Sequence, residues 1–211
     1  MNIRTILFDL DGTLIDTNEL IIESFMHTFN QFGKDLTRDD AAEFIGPPLR
    51  DSFLQVDQNR ADEMVAAYRK HNLKHHDDYV IAFPYVAETL EKLREKPIQI
   101  GIVTTKMRRT VDMGLKVTGL DHFFETIIAL DDVNHAKPHP EPVLKAMQAM
   151  EASAESTLMV GDNHHDIEAG KNAGVRTAGV AWSLKGREKL LSYEPTYMLD
   201  DMRDLLKIAG V

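Results

Sequence analysis

The sequence has no cysteine among its 211 residues, and positive charge is scarce. The absence of cysteine excludes disulfide bonds, thiolate nucleophiles and zinc–thiolate sites. No apolar run in it approaches the roughly 18 residues that span a bilayer. With 24 Lys and Arg against 34 Asp and Glu, the net charge is −10. We therefore expect neither nucleic acid nor a membrane as a partner, and an anionic ligand would need a local positive site, such as a metal ion.

The remaining composition is that of an ordinary globular protein, with 43% hydrophobic and 27% charged residues. The length allows one domain, or a domain with a substantial insertion, and a real core. The first five residues run directly into a predicted strand and leave no room for a signal peptide. We expect a cytoplasmic protein, either a monomer or a small homo-oligomer.

Two aspartates, Asp9 and Asp11, follow the apolar run at positions 6–8 and precede Gly12. Such a run is typical of a strand buried on both faces of a parallel sheet. Residues two apart on a strand point to the same side, so the two carboxylates would repel each other and a cation is expected nearby. Ligands of open α/β sheets bind at the carboxyl ends of the strands, which predicts chemistry at this point.

The rest of the chain divides into a helical segment and an alternating segment. Between positions 16 and 78 no convincing strand is present, and helices are predicted at 17–32, from Thr37, and at about 58–75. Beyond Pro84, strands alternate with helices; the strands are predicted at 98–103, 126–130, 157–160 and 177–182. This alternation indicates an α/β fold with a Rossmann-like parallel sheet. We predict a core of residues 1–15 and 83–211 and an inserted all-helical cap of residues 16–82.

Polar side chains stand at the ends of the later predicted strands as well. They are Thr104, Asp131, Asp132 and Asp162. Lys137 follows the third strand after a short loop, and Asp166 lies four residues beyond Asp162. Any one of these is most simply a helix cap or a solvated surface group. Their convergence on one edge of one sheet is hard to explain by capping and favours a phosphate and divalent-cation site.

These residues match a known family. Asp9-x-Asp11-Gly12-Thr13, Thr104, Lys137 and Gly161-Asp162-x-x-x-Asp166 resemble the four motifs of the haloacid dehalogenase-like phosphohydrolases. The resemblance covers the whole chain, including the helical cap inserted after the first strand. Segments 44–49, 101–106, 160–166 and 178–182 are similar to the bacterial pyrophosphatases of that family. Phosphoglycolate phosphatases share much of the pattern, so the family is better defined than the substrate.

The resemblance implies an enzyme that hydrolyses pyrophosphate through an aspartyl-phosphate. Asp9 would attack phosphorus, and Asp11 would protonate the leaving oxygen and then deprotonate the attacking water. The Thr104 hydroxyl and the amides that follow it, at Thr105 and Lys106, would donate to the phosphoryl oxygens. Lys137 would balance negative charge on the nucleophile and in the transition state.

The same resemblance implies Mg²⁺ as the cofactor. Its ligands would be the Asp9 carboxylate, the Asp11 backbone carbonyl and Asp162, and Asp166 would complete or orient that shell. Gly12 would permit the tight turn that brings backbone amides near the phosphoryl group.

Pyrophosphate carries more negative charge than a simple ester, so we expect additional cationic contacts. Arg50, beside the Gly46-Pro47-Pro48 turn, and Lys106 are the candidates, although either one alone is more simply a solvated surface residue. The stiff glycine-proline turn is expected to position the cap over the site, but it could be only a helix terminator.

Two further clusters have simpler interpretations. His71 and His75 are one helical turn apart and could bind a metal, but a solvated helix end is favoured. Asp131 and Asp132 either orient Lys137 or cap the end of their strand.

Several functional alternatives remain open. A phosphomonoesterase acting on phosphoglycolate or a similar ester has the same motifs, and a phosphomutase would need a cap that excludes water. A dehalogenase is disfavoured because that branch of the family lacks an aspartate at the position of Asp11. A receiver-type signalling module also places a phosphorylated aspartate, a threonine and a lysine at a sheet edge. The helical insertion and the turn after Asp9 argue against that last alternative.

Overall fold

The computed structural model describes residues 3–211 of the chain. Its strands are β1 (Thr5–Phe8), β2 (Ile15–Asp16), β3 (Ile81–Ala82), β4 (Gln99–Val103), β5 (Thr126–Ile128), β6 (Thr157–Gly161), β7 (Arg176–Val180) and β8 (Tyr197–Leu199). Six of them form one sheet in the order β5-β4-β1-β6-β7-β8, and every pairing in it is parallel. The predicted parallel α/β fold is therefore confirmed.

Strand β1 lies inside the sheet, between β4 and β6, and all four of its residues are buried. Phe8 pairs with Ile102 on one side and with Val160 on the other. Phe8 belongs to the larger apolar cluster, whereas Leu7 belongs to a second cluster on the opposite face of the sheet. Burying each such side chain contributes about 1.5–3 kcal/mol. This two-sided burial explains the uninterrupted apolar run and brings the residues after three strands to one edge of the sheet.

The helices of the same part of the chain are α1 (Asn18–Gln31), α2 (Arg38–Glu43), α3 (Leu49–Val56), α4 (Ala61–Tyr79), α5 (Val86–Arg94), α6 (Arg108–Thr118), α7 (Glu141–Ala149), α8 (His164–Asn172), α9 (Arg187–Leu191) and α10 (Asp204–Ala209). The first four lie between β2 and β3, and we call them the cap. The others pack around the six-stranded sheet. Across residues 3–211, no helix combines the length and hydrophobicity that would let it cross a membrane.

The cap has an apolar core of its own, rich in aromatic rings. Phe25 is its centre: its ring centroid lies 4.9 Å from that of Tyr68 and 5.3 Å from that of Phe53. The chain enters and leaves the cap through the antiparallel pair β2–β3, in which Ile15 pairs with Ala82. Within residues 3–211, the backbone passes between the sheet and the cap only through these two short strands. The division at residues 16 and 82 remains a prediction.

Some elements differ from the predicted ones. Helix α3 was not predicted, because the preceding Gly-Pro-Pro sequence suggested only a break, yet Pro48 occupies the position just before its first residue. Strand β8 was also missed, since three residues, two of them half-buried and one buried, carry little periodic signal. Helix α8, which the sequence predicts from about position 166, begins two residues earlier, at His164. Asn163 caps it by accepting from the His165 amide, while the Asp166 carboxylate accepts from the Asn163 amide.

Candidate active site

Lys137 lies buried at the carboxyl edge of the sheet, where all three of its ammonium protons have an acceptor. Its Nζ lies 2.7 Å from Asp9 Oδ1, 2.5 Å from Asp166 Oδ1 and 2.9 Å from the carbonyl oxygen of Val103. The lysine is 4% exposed. An ammonium group is expensive to bury unless its charge and its protons are matched, as they are here. The structure thus joins the ends of β1 and β4 to the loop before α7.

Three buried carboxylates surround this lysine. Asp9, Asp162 and Asp166 each offer an oxygen, and these atoms lie within 4.8 Å of one another. Within residues 3–211, no hydrogen-bond donor reaches the Asp162 carboxylate. Burial raises the pKa of Asp9 to about 7, opposed by Lys137 and assisted by the charge of Asp166. Burial also raises the pKa of Asp162 well above its usual value, and the charges of Asp166 and Asp9 add to the shift.

The charge balance of this cluster favours a bound cation. Burial alone would lower the pKa of Lys137, but the charges of Asp166 and Asp9 outweigh it and raise that pKa. One lysine cannot neutralise three carboxylates, and the Asp162 carboxylate is the one left without a partner. Hard divalent cations prefer such oxygen ligands. The residues present therefore fit a metal such as Mg²⁺, with Asp9 and Asp162 the more available ligands because both Asp166 oxygens already accept hydrogen bonds.

Gly12 allows this cluster to form. Its φ of +80° lies in the left-handed region, which side-chain-bearing residues rarely adopt. A Cβ added at this position would lie 2.4 Å from Asp162 Oδ2. A larger residue would therefore both strain the turn and displace the carboxylate.

Asp11 lies outside the three-carboxylate cluster and faces the cavity. Its carboxylate accepts from Lys106 Nζ at 2.7 and 3.0 Å and from Thr17 Oγ1 at 2.9 Å. Lys106, predicted to contact substrate, is thus held at the site through Asp11. The pair is partly exposed, at 11% for the lysine side chain and 20% for the aspartate, so an incoming anion can reach both groups.

The two threonines after β4 have different surroundings. Thr104 is buried, and its hydroxyl accepts from the Lys106 amide at 3.2 Å. Thr105, also predicted to bind substrate, donates its hydroxyl to the Gly46 carbonyl oxygen of the cap at 3.0 Å. Both residues line the cavity described below. The structure therefore places Thr104 on the same cavity wall as Asp9 and gives Thr105 a contact with the cap.

One sequence-based interpretation is wrong: Asp131 and Asp132 do not orient Lys137. Asp131 accepts from the Arg108 amide at the start of α6, at 2.8 Å. Asp132 accepts from the Ala129 amide at 2.8 Å and from the Arg108 guanidinium at 2.7 Å. Their role as caps at the strand end is confirmed. The lysine takes its partners from β1, β4 and α8 instead, because its side chain is directed into the sheet edge.

The remaining candidates lie on the cap. Arg50 is mostly exposed, and its Nε donates to Asp62 at 2.7 Å, although the residue also borders the cavity. His71 lies between His27 and His75, with ring centroids 4.4 and 4.6 Å away. The His71 Nδ1 is 3.1 Å from the Ser24 hydroxyl. Among the described residues, these histidines are not part of any group whose ligand atoms converge on a metal position.

A cavity of about 370 Å³ lies between the carboxyl edge of the sheet and the cap. Its lining on the side of the sheet is polar and includes Asp9, Asp11, Thr104, Lys137 and Asp162. Its cap-side lining is largely apolar and includes Ile21, Phe25, Phe44, Leu49 and Tyr68. Arg69 and Arg109 add positive charge, and sequence reasoning missed both. Arg109 follows the Thr104 motif closely enough to have been considered, whereas Arg69 lies on a cap helix with no motif to mark it.

Sequence reasoning also missed the hydrogen bonds by which three side chains join the sheet to the cap. Each donates to a backbone carbonyl oxygen in residues 42–46: Lys185 to Ala42 at 2.8 Å and Glu43 at 3.2 Å, Asn163 to Ile45 at 3.1 Å, and Thr105 to Gly46 at 3.0 Å. We call these the core-to-cap hydrogen bonds. They hold the cap's glycine-proline turn against the carboxyl edge of the sheet, where the candidate site residues lie, as the sequence suggested.

The comparison with protein families agrees with this geometry. Residues 6–180 match the family described as haloacid dehalogenase-like hydrolase. The chain belongs to this family. Two curated proteins named Pyrophosphatase PpaX are similar to it over its full length. The one from Anoxybacillus flavithermus is 60% identical over 100% of this chain and 99% of its own. The one from Oceanobacillus iheyensis is 55% identical over 100% of this chain and 98% of its own.

Solved structures of this family share the fold. A haloacid dehalogenase-like hydrolase from Bacteroides fragilis superposes with a TM-score of 0.90 at 29% identity, covering 97% of this chain and 100% of the other. A hydrolase of the same family from Streptococcus pneumoniae gives a TM-score of 0.88 at 28% identity and 98% coverage of both chains. The protein is therefore a phosphatase-type hydrolase of this family that acts on a small phosphate-containing substrate. Membership of a hydrolase family leaves the receiver-module hypothesis without support.

Proposed function

We propose that this protein is a Mg²⁺-dependent pyrophosphatase that hydrolyses pyrophosphate through an aspartyl-phosphate on Asp9. The observation that carries the proposal is the Asp9 carboxylate, buried at the end of β1 and 2.7 Å from Lys137. The choice of pyrophosphate as the substrate is supported by the similarity to curated proteins named Pyrophosphatase PpaX. We further propose a cytoplasmic location, which fits a chain without cysteine.

In the proposed reaction, an Asp9 oxygen forms a bond to one phosphorus of pyrophosphate as the bridging P–O bond breaks, and orthophosphate leaves. Water then releases the phosphoryl group from Asp9, so two phosphates are formed and the aspartate is regenerated. Asp11 supplies a proton to the leaving oxygen when one is needed and removes the proton from the water. Its position at the cavity wall, outside the carboxylate cluster, suits a residue that exchanges protons.

Lys137 provides fixed positive charge in this scheme. Its hydrogen bonds to Asp9 and Asp166 keep it in place before substrate arrives, so little reorganisation is needed as charge develops. Thr104 can donate its hydroxyl to a phosphoryl oxygen, because in the structure it serves only as an acceptor, from the Lys106 amide. Mg²⁺ would be held by Asp9, Asp162 and the Asp11 carbonyl, with Asp166 orienting the shell; when bound, it neutralises phosphate oxygens and orients them for displacement.

The second phosphate of pyrophosphate needs cationic contacts of its own. Lys106, Arg50, Arg69 and Arg109 all border the cavity, and of these Lys106 lies nearest to the catalytic residues through its pair with Asp11. An anion entering the cavity would compete with Asp11 for Lys106. We propose that this exchange frees Asp11 for proton transfer at the moment when substrate binds.

A phosphomonoesterase, such as a phosphoglycolate phosphatase, is the second candidate. The observation that favours it is the apolar cap-side lining, with Phe25, Phe44 and Leu49, because an organic leaving group gains from apolar contacts and pyrophosphate does not. The motif residues serve either substrate equally well. The two candidates therefore differ in the leaving group alone.

A substrate panel tests both candidates. Phosphate release would be measured from pyrophosphate, phosphoglycolate and p-nitrophenyl phosphate, with Mg²⁺ and with EDTA, and kcat/KM compared. We expect the highest kcat/KM for pyrophosphate and loss of activity with EDTA that added Mg²⁺ restores. Higher kcat/KM for an ester would establish the second candidate instead. Full activity in EDTA would contradict both proposals.

A further inference from the structure

A second cluster of potential metal ligands lies on the loop that carries Lys137, before helix α7. One ring nitrogen each of His135 and His139 and one oxygen of Glu141 lie within 4.8 Å of one another. Among the described residues, this is the only such group apart from the three aspartates already considered. None of its members lines the catalytic cavity.

The Glu141 carboxylate is held in a fixed orientation. Its Oε1 accepts from the Asn134 amide at 2.9 Å, and its Oε2 accepts from the His135 amide at 3.1 Å. The Asn134 amide, followed by the His135 side chain, lowers the pKa of Glu141 to about 2. An ionised carboxylate and neutral imidazoles are the forms in which these side chains bind metals. Hydrogen bonds of this kind orient ligands and strengthen metal sites.

The two imidazoles are placed around this carboxylate. The Nδ1 of His135 lies 2.9 Å from Glu141 Oε2, and the ring centroids of His135 and His139 are 4.5 Å apart. The Glu141 amide donates to His139 Nδ1 at 3.2 Å, which keeps that ring against the start of α7. A bound ion would take the place of the proton shared by His135 and Glu141. Ligation by His139 Nδ1 would exchange that long hydrogen bond for a bond to the ion.

We propose that His135, His139 and Glu141 form a binding site for a divalent transition-metal ion, with Zn²⁺ as its representative. Two imidazoles and a carboxylate are a ligand set that suits Zn²⁺, whereas Mg²⁺ prefers oxygen ligands throughout. Three protein ligands leave a further coordination position for water. The site is on the surface, since the His135 side chain is 65% exposed.

The site brackets the catalytic lysine. His135 and His139 each lie two residues from Lys137, whose side chain points the opposite way, into the sheet edge. An ion at this site would close a short loop around the lysine without entering the catalytic cavity. Nearby, Lys145 Nζ lies 3.5 Å from Glu141 Oε1, and this positive charge limits the affinity of the site. We expect Zn²⁺ binding to stabilise the loop and to raise Tm.

The test measures Zn²⁺ binding by competition with a chromophoric chelator, using the full chain in excess Mg²⁺. His139→Ala and Glu141→Gln should each weaken binding of one Zn²⁺ equivalent by more than tenfold and should abolish the rise in Tm that Zn²⁺ causes. Asp162→Asn, which alters the aspartate cluster, should retain that equivalent. His71→Ala, a matched change in the histidine group of the cap, should retain it as well.

Two results would overturn the proposal. The first is that the His139→Ala and Glu141→Gln proteins still bind the Zn²⁺ equivalent, whereas the Asp162→Asn or the His71→Ala protein does not. The second is a wild-type protein that binds no more Zn²⁺ than the His139→Ala and Glu141→Gln proteins bind, both with and without Mg²⁺. Co²⁺ gives an independent readout, because histidine ligation at a site with fewer than six ligands produces visible absorption that both variants should lose.

Discussion

The carboxyl edge of the sheet and the cap face each other across one cavity, but different interactions hold their residues in place. At the sheet edge, Asp9, Lys137 and Asp166 are buried and joined by hydrogen bonds of 2.5–2.7 Å. On the cap, the charged pair Arg50–Asp62 is exposed and the interior is a cluster of aromatic rings. Buried, fully paired charges are costly to rearrange, whereas exposed pairs contribute little. The sheet edge is thus the more fixed of the two regions, and we expect the reaction to depend on it more than on the charges of the cap.

The strongest test of this difference is to remove the proposed nucleophile, Asp9, from the sheet edge. Asp9→Asn keeps the shape of the side chain but removes the attacking carboxylate, so we expect kcat to fall by about 10⁴-fold or more. Phosphate release under saturating substrate and Mg²⁺ would measure the loss. Arg50→Gln on the cap is the matched control, and we expect it to change kcat/KM by about tenfold or less. Comparable losses in the two variants would contradict the assignment of chemistry to the sheet edge.

The next test concerns the close approach of the Gly12 turn to the Asp162 carboxylate. Gly12→Ala places a Cβ 2.4 Å from Asp162 Oδ2 at a φ of +80°. We expect at least about a hundredfold loss of activity, because Asp162 must move, together with about 1 kcal/mol of backbone strain. Activity titrated with Mg²⁺ and the free energy of unfolding from urea denaturation would separate the two effects.

Gly33→Ala is the matched control for this change. Gly33 has a φ of +64° and nothing within 4 Å of an added Cβ, so it shares the backbone strain but not the collision. We expect a similar loss of stability and normal activity. If both variants lost activity equally, the collision with Asp162 would not be the cause.

A smaller effect is expected from the core-to-cap hydrogen bonds. Lys185→Met removes the donor to the Ala42 and Glu43 carbonyls at the end of α2 while keeping the length of the side chain. Losing hydrogen bonds to the cap costs about 1 kcal/mol, so we expect kcat/KM to fall about fivefold, mainly through KM. Steady-state kinetics would measure it, with Lys207→Met, 83% exposed, as the control. A fall in kcat alone would place Lys185 in the chemical step rather than in cap positioning.

The contrast between the two regions also explains what the sequence could predict. Asp9, Thr104 and Asp162 were found because strand ends in a parallel sheet must meet at one edge, and their apolar runs are visible in the sequence. Lys185 could not be found, because its partner is a backbone carbonyl about 140 residues away and no residue type marks such an acceptor. Asp131 and Asp132 were ambiguous for a related reason. A carboxylate after a strand can cap a helix or pair with a lysine, and only the direction of the Lys137 side chain decides between them.

The smallest expected effect lies in the cap, where His71 couples stability to pH. Burial, and then the neighbouring His27 and His75, lower the pKa of His71 below its usual value. The unfolded chain therefore binds a proton more readily, so the free energy of unfolding should decrease as pH falls through the unfolded pKa of about 6.5. Urea denaturation at pH 7.5 and 5.5 would show a smaller decrease for His71→Gln than for the wild type. The exposed His122→Gln should behave like the wild type, and a His71→Gln protein with an unchanged pH dependence would show that this histidine group does not contribute to the pH sensitivity of the cap.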